Sequence, residues 1–422
     1  MNESSDNFCD RALRWLPGGS NGEYGIPEGD APVIDRGAGC RVWDTDGREY
    51  LDMTMAWGAA LVGHAHPKVL EAANAAAARG ANFAAVTRPM VELAERIADI
   101  SPCVERIRFV ASGTEATMLC LRTARAATGR PKILKFEGAY HGQHPEGIAS
   151  LVGNDPPEWP QSDPSGTGAP WVERDVLVAP YNDLAATEQI LDDHGADLAA
   201  VIVEPLHRCI PPVDGFLQGL RDAVSRHGIV LVFDEVVTGF RLALGGAQEY
   251  YGVSPDLVAY GKGLGGGFPI GAYGGRAEIM EAVNEQRLPG PNYAWSASTT
   301  GGNPVSSAAA LAAIDVFSEP GVYDLLHSLG KQLRTKRTKW RRCWAMGRLR
   351  RRRFSTGRCA ATATGSPPTD NGVAPSCWSC SAWGCSSTRW APSSTSPSRT
   401  AKRRSTNWPP TSPPPFNPPA RN

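Results

Sequence analysis

The chain has 422 residues, 41% of them hydrophobic and 20% charged, with 43 Lys and Arg against 43 Asp and Glu and a formal net charge of zero. That length excludes a peptide or a single small module and leaves room for two or three domains with sizeable cores. The neutral balance averages two unlike parts: residues 1–334 carry a net −16, whereas the last 88 residues hold 17 Lys and Arg and one acid, Asp370, for a net +16.

In chain order, residues 1–10 are polar and acidic, with neither a basic start nor an apolar run. They do not read as a secretory signal, and a cytoplasmic location is expected. The segment up to Ala65 is turn-rich with short strand-like pieces such as Cys40–Val42, and Pro67–Ala78 reads as a helix. From there β-rich runs recur at Arg106–Ala111, Lys132–Phe136, Ala199–Glu204, Ile229–Asp234 and Leu257–Tyr260. Between the third and fourth, Phe216, Leu217, Leu220, Ala223 and Val224 fall at helical spacing, and Gly228 follows as a C-terminal cap. Strand, helix, strand in that order predicts parallel pairing in an α/β domain, with apolar strands such as Val201–Val203 covered on both faces. The longest apolar stretches, such as Leu198–Val203, fall far short of the roughly 20 residues of a membrane helix. Cys9, Cys40, Cys103, Cys120 and Cys209 show no paired or metal-type spacing and are expected as reduced, mostly buried thiols.

Three features carry chemistry. Ser112-Gly113-Thr114-Glu115-Ala116 follows a strand and opens a helix, so the first-turn N–H groups suit either an anion such as phosphate or an ordinary Ser-capped helix. Asp234 ends an apolar strand, where α/β sheets place ligand-contacting groups; there it can act as base, metal ligand, cap or counter-ion of a ring nitrogen. Lys262 follows another strand and precedes Gly263, Gly265, Gly266 and Gly267, a loop that lets backbone approach a bulky cofactor. Pyridoxal phosphate requires all three: a phosphate cradle, a carboxylate for its pyridine nitrogen and an imine-forming Lys.

The sequence resembles the class III, fold type I aminotransferases, most closely the glutamate-1-semialdehyde 2,1-aminomutase-like branch. The matching segments are Pro17-Gly18-Gly19, Gly63-His64-Ala65-His66-Pro67, Ser112 to Ala116, Phe136-Glu137-Gly138-Ala139-Tyr140-His141-Gly142, Glu204-Pro205, Phe233 to Arg241 and Gly261 to Gly267. The resemblance covers about residues 11–334. It implies a fold type I α/β architecture: a large domain with a mostly parallel central sheet over 68–300, and a smaller domain from residues 1–67 and from 301–334, where its C-terminal part begins. It also implies the cofactor pyridoxal phosphate and assigns residues to it. Lys262 is its Schiff-base and proton-shuttling residue, Asp234 pairs with the pyridinium nitrogen, and Val236 and Tyr140 press on the two ring faces. Ser112, Gly113 and Thr114 hold the phosphate, and Thr299 reaches it from the neighbouring subunit, which makes a homodimer with shared sites necessary. His141 and Glu204 sit in family motifs without a firm role, and Trp57 lies in a region that lines the substrate pocket in relatives.

Two departures qualify the resemblance. True aminomutases carry an Arg after the Pro-Gly-Gly turn, where it meets the substrate carboxylate; here Ser20 to Pro27 contains Glu23 and no base. A carboxylate would be repelled unless a cation such as Arg14 or Arg241 compensates. An aminotransferase exchanging an amino group between an amine or amino acid and a carbonyl acceptor is therefore preferred over the aminomutase. The second departure is the segment 335–422, with six Trp, five Cys and twelve Pro but one Leu, one Val and no Ile. Too little apolar surface is available there for a packed unit, so a disordered tail is expected, read here as a reading-frame shift near Arg334 in a GC-rich gene. A basic nucleic-acid arm (Arg348 to Arg353 with Trp340 and Trp344) and a zinc site from Cys359, Cys377, Cys380 and Cys385 are weaker readings, and a non-catalytic product of a damaged gene is the alternative to an active enzyme.

Overall fold

A computed structural model describes residues 5–22, 32–152, 158–288, 290 and 292–345. Three short antiparallel strands come first, β1 (Ile34–Ala38), β2 (Arg41–Asp44) and β3 (Glu49–Leu51), in that order. A seven-stranded sheet follows, built from β4 (Arg106–Val110), β5 (Lys132–Phe136), β6 (Val176–Ala179), β7 (Leu198–Val203), β8 (Val230–Asp234), β9 (Leu257–Tyr260) and β10 (Gly271–Gly275). Their spatial order is β4-β10-β9-β8-β7-β5-β6. Strands β9, β8, β7, β5 and β6 are mutually parallel, and β10 runs antiparallel to both β4 and β9.

Both faces of this sheet are buried, which explains the unbroken apolar strands. Because successive strand residues point to opposite faces, Leu134, Phe136, Val201, Val203, Leu231 and Phe233 enter one core, and Ile133, Ala200, Ile202, Val230 and Val232 enter the other. The first core is closed by the helix Phe216–Arg226 through the five apolar residues read from its spacing; Gly228, at φ +61°, ends it in the left-handed region. The second is closed by the helix Gly113–Thr128 through Ala116, Leu119, Cys120 and Ala124. The helix Pro304–Phe317 buries Ala309, Ala310, Ala313, Ile314 and Phe317 in the first core, beside Val69 and Ala73 of the helix Pro67–Ala77.

Two strands escape the sequence reading. β6 is short, and β10, Gly-Ala-Tyr-Gly-Gly, carries three glycines that read as loop. The sheet demands them: a Cβ on Gly271 would lie 2.2 Å from the Ser112 carbonyl oxygen, and one on Gly274 2.5 Å from that of Arg106. The last described helix, Val322–Ala345, runs past Arg334, the point at which the sequence changes character. Residues 346–422, and with them the Arg run and the proposed zinc cysteines, lie outside the described residues, as does Glu23. Among the described residues no group of His, Cys, Asp and Glu is placed to hold a metal, and no helix is long and apolar enough to cross a membrane.

Candidate active site

The parallel strands deliver their carboxyl ends to one rim of the sheet, where α/β folds bind ligands. A cavity of about 200 Å³ opens there, lined by Gly113, Thr114, Thr117, Tyr140, His141, Gly142, Glu204, Arg208, Asp234, Val236, Val237 and Lys262. Five strands thus contribute: β4 leads to Gly113, β5 to Tyr140 and His141, β7 to Glu204, β8 to Asp234, and β9 to Lys262.

One wall is the start of the Gly113–Thr128 helix. Ser112 is its N-cap: its Oγ accepts the Glu115 N–H at 3.2 Å, and Glu115 Oε2 accepts in return from Ser112 Oγ at 3.1 Å and from the Ala111 N–H at 2.8 Å. This reciprocal cap satisfies the third helical N–H and leaves those of Gly113 and Thr114 at the cavity wall. The Ser112 side chain is therefore engaged in the cap, and Ser112 does not line the cavity. Close packing builds the rest of this wall. A Cβ on Gly113 would lie 2.7 Å from Val236 Cγ1, and one on Gly142 2.7 Å from Thr114 Cα. Gly113→Ala is expected to displace Val236 or the helix start, destabilising the fold by about 1–3 kcal/mol and weakening cofactor binding; urea denaturation and a cofactor titration measure the two effects.

Asp234 is 5% exposed and held by two donors: Oδ1 accepts the Val236 N–H at 3.0 Å, and Oδ2 accepts from His141 Nδ1 at 2.7 Å. Burial pulls the His141 pKa down to about 4 against the opposing pull of Asp234, so the imidazole is neutral at physiological pH. With its proton on Nδ1, the buried Nε2 is a bare acceptor with no hydrogen-bond partner. His141 is thereby identified as the group that orients Asp234, a role its motif had not revealed.

The loop carrying Tyr140 and His141 is tied down by Lys135, a fully buried cation on β5 that sequence reading passed over as an ordinary strand residue. Its Nζ donates to the carbonyls of Ala139, Gly147 and Ala149 at 2.9, 3.0 and 2.5 Å. Burial lowers its pKa to about 7, yet three acceptors require the three donors of the ammonium form. Lys135→Met strands these carbonyls and is expected to cost about 3 kcal/mol of stability, read as a lower urea midpoint at unchanged slope. Thr117, also missed, ties the same loop to the helix through hydrogen bonds from its Oγ1 to the His141 and Gly113 carbonyls.

Lys262 adopts φ +43°, a left-handed conformation that a non-glycine residue holds only at a cost and that clusters at functional sites. Burial lowers the pKa of its amine, opposed by Asp234 and Glu204, which face it. Glu204 is 7% exposed, and burial raises its pKa to about 7. Arg208, which sequence reading did not single out, contributes a second cation to the cavity, with its Cζ 5.5 Å from the Tyr140 ring centroid.

The remaining sequence candidates lie elsewhere. Thr299 is exposed, its carbonyl accepting from Asn82 Nδ2 at 2.9 Å. Trp57 does not line the cavity; it ends a left-handed turn, Met55-Ala56-Trp57, whose start is capped by Asp52 Oδ1. Arg241 is engaged by the carbonyls of Val237 and Gly58, and Arg14 lies against Trp15, so neither cation faces the cavity.

Comparison with known proteins identifies the family. Residues 26–352 match the family Aminotransferase class-III. Glutamate-1-semialdehyde 2,1-aminomutase 2 of Brevibacillus brevis is 43% identical over 344 residues, covering 78% of this chain and 77% of that protein. The corresponding aminomutase of Desulforamulus reducens is 44% identical over 331 residues, covering 77% and 75%. Among solved structures, an omega-transaminase from Sphaerobacter thermophilus superposes with a TM-score of 0.74 at 39% identity over 79% of this chain and 77% of that one. A glutamate-1-semialdehyde-aminomutase from Pseudomonas aeruginosa does so with a TM-score of 0.69 at 26% identity, over 78% and 74%. The chain belongs to the class-III aminotransferases, enzymes whose cofactor is pyridoxal phosphate.

Proposed function

We propose that this protein is a transaminase that moves an amino group between an amine or amino acid and a carbonyl acceptor, with Lys262 as the reacting amine. The observation carrying this reading is that Lys262, Asp234 and the open helix start at Gly113 and Thr114 line one cavity. The cavity suits pyridoxal phosphate on its own terms: Gly113 and Gly142 leave room that a side chain would fill, and a buried carboxylate held by two donors faces inward. Gly113 and Thr114 would hold the phosphate, Asp234 the ring nitrogen, and Val236 and Tyr140 the ring faces, with Ser112 acting through the helix cap.

The bound cofactor supplies an aldehyde for imine exchange and a ring that accepts electrons when the substrate Cα–H breaks. The residues do the rest. Burial brings the Lys262 amine nearer its neutral, nucleophilic form, and Nζ then carries the proton to and from the substrate carbon. Asp234, oriented by the His141 Nδ1–H, keeps the ring nitrogen protonated.

In this reading Thr299 completes the site of a second copy, so the working form is a homodimer in the cytoplasm. The large domain spans 68–300, with the small one drawn from 1–67 and from the segment that begins at 301–334. Mixing Lys262→Ala and Thr299→Ala chains is expected to restore activity that neither has alone. The names of the relatives favour a second reading, the aminomutase. Incubating the loaded enzyme with a panel of amino donors and carbonyl acceptors separates the two: net transfer to an added acceptor supports the transaminase, and conversion of glutamate-1-semialdehyde alone supports the aminomutase. Cofactor binding without any turnover would identify a non-catalytic product.

A further inference from the structure

The ladder between β8 and β9 pairs Asp234 with Ala259 and ends on the Glu235 N–H, which donates to the Ala259 carbonyl at 2.9 Å. Beyond that rung the two strands part. Glu235 enters a turn closed by the Gly239 N–H on the Glu235 carbonyl at 2.9 Å, and Lys262 enters the single turn Lys262–Gly265 with its left-handed φ of +43°. Backbone held in such a conformation persists only where its surroundings over-determine it. At these strand ends the surroundings include a buried polar network.

Glu235, Gln248, Tyr260 and Ser101 are all buried. Glu235 Oε2 accepts from Thr238 Oγ1 at 2.9 Å and from the Ala247 N–H at 2.6 Å, and Oε1 accepts from Gln248 Nε2 at 3.0 Å. Every neighbour is a donor, so the group is a carboxylate; a proton on it would meet another donor. That fixes the Gln248 amide, with Nε2 toward Glu235 and Oε1 accepting the Cys103 N–H at 3.1 Å. The second Nε2 hydrogen reaches the Tyr260 oxygen at 3.1 Å, which leaves the Tyr260 O–H to donate to Ser101 Oγ at 2.6 Å. Each direction in the chain thus follows from one carboxylate. The backbone is shaped around it: a Cβ on Gly246 would lie 2.4 Å from Glu235 Oε2, and one on Gly239 2.8 Å from Tyr260 Cδ1.

Resting on the transaminase reading above, we propose that Glu235, Gln248 and Tyr260 are positioning residues that hold the Lys262 amine in register with Asp234. Glu235 adjoins Asp234, and Tyr260 lies two residues before Lys262, so one amide spans the gap that the ladder leaves open. None of the three lines the cavity. They act on the rate of the step at Lys262 and leave substrate binding alone, and a displacement of about 1 Å at a reacting group costs up to about 10²-fold.

The charges that act on the Lys262 amine are Asp234, Glu204, Arg208 and Arg241. Tyr260→Phe alters none of them and keeps the ring, so a change in the titration of the amine reports a change in its place. In the cofactor-loaded variant the pH midpoint of the Schiff-base absorbance band is expected to move by at least about half a unit. Its kcat should fall about tenfold with KM for the amino donor held within about twofold. Glu235→Gln sets an NH2 group against donors and should show the same loss in kcat. Combining it with Gln248→Glu exchanges carboxylate and amide, restores a donor facing an acceptor between the two positions, and should recover most of kcat. Leu220→Ala, in the first core on the helix Phe216–Arg226, is the control: it should lower the melting temperature and leave midpoint and kcat unchanged. Tyr260→Phe and Glu235→Gln that behave like Leu220→Ala would overturn the positioning role, as would an exchange that restores the melting temperature without kcat. A wild type lacking the band sinks the transaminase reading alone. The network is then decided on the unloaded protein, by carbamylation of Lys262 with cyanate across pH, read by mass spectrometry. A midpoint moved in Tyr260→Phe supports it, and one equal to wild type overturns it.

Discussion

Lys262→Ala is expected to eliminate the Schiff-base absorbance of the loaded protein and to reduce transamination by at least about 10³-fold. The size follows from two lost roles. In the proposed reaction the amine at the end of β9 is the nucleophile of imine exchange, and a general acid and base of this kind is worth about 10²–10⁴-fold alone. Ala also removes a cation that faces Asp234 and Glu204, so the variant should still bind cofactor, noncovalently and more weakly. Absorbance and single-turnover kinetics check both parts. A variant that kept the band would place the reacting amine elsewhere.

Asp234→Asn is the second large effect. The amide keeps the shape, and its oxygen can still accept the Val236 N–H. Its NH2 group then faces the His141 Nδ1–H, donor against donor, unless the imidazole switches tautomer and accepts through Nδ1. In the proposed reading the cofactor's ring nitrogen would also lose the charge that keeps it protonated. Losing such a preorganised electrostatic partner costs about 2.7–4 kcal/mol, or about 10²–10³-fold in kcat. His141→Gln should fall between wild type and Asp234→Asn, because it disturbs the orientation of the carboxylate and leaves its charge. The ordering of the three kcat values, at matched cofactor saturation, is the measurement.

The five strands and the helix read from apolar runs and helical spacing were legible because each buries one continuous stripe or both faces in the core, and burial writes itself into local composition. β10 was not legible: its glycines answer to the backbones of Ser112 and Arg106, some 160 residues earlier in the chain, and no local pattern records that approach. The site divides in the same way. Lys262, Asp234 and the helix opening at Ser112 sit at strand ends that periodicity can locate. Lys135 looks like any polar residue within a strand, and Arg208 like any surface cation. Their importance depends on which carbonyls and carboxylates the folded chain packs around them.

The neutral total of 43 bases and 43 acids is likewise a sum of two unlike segments, which counting alone establishes. By itself the amino-acid sequence determined the α/β class and, through its family resemblance, the cofactor and the residues proposed to react with it, because strand ends and glycine-rich turns are local features. Only the tertiary structure decided that Ser112 serves the helix cap, that His141 orients Asp234, that Arg241 is engaged by backbone carbonyls, and that Arg208 joins Lys262 as a second cation in the cavity. Each of these is a matter of distance and desolvation between groups far apart in the chain, and neither quantity exists until the sheet has brought five strand ends to one rim.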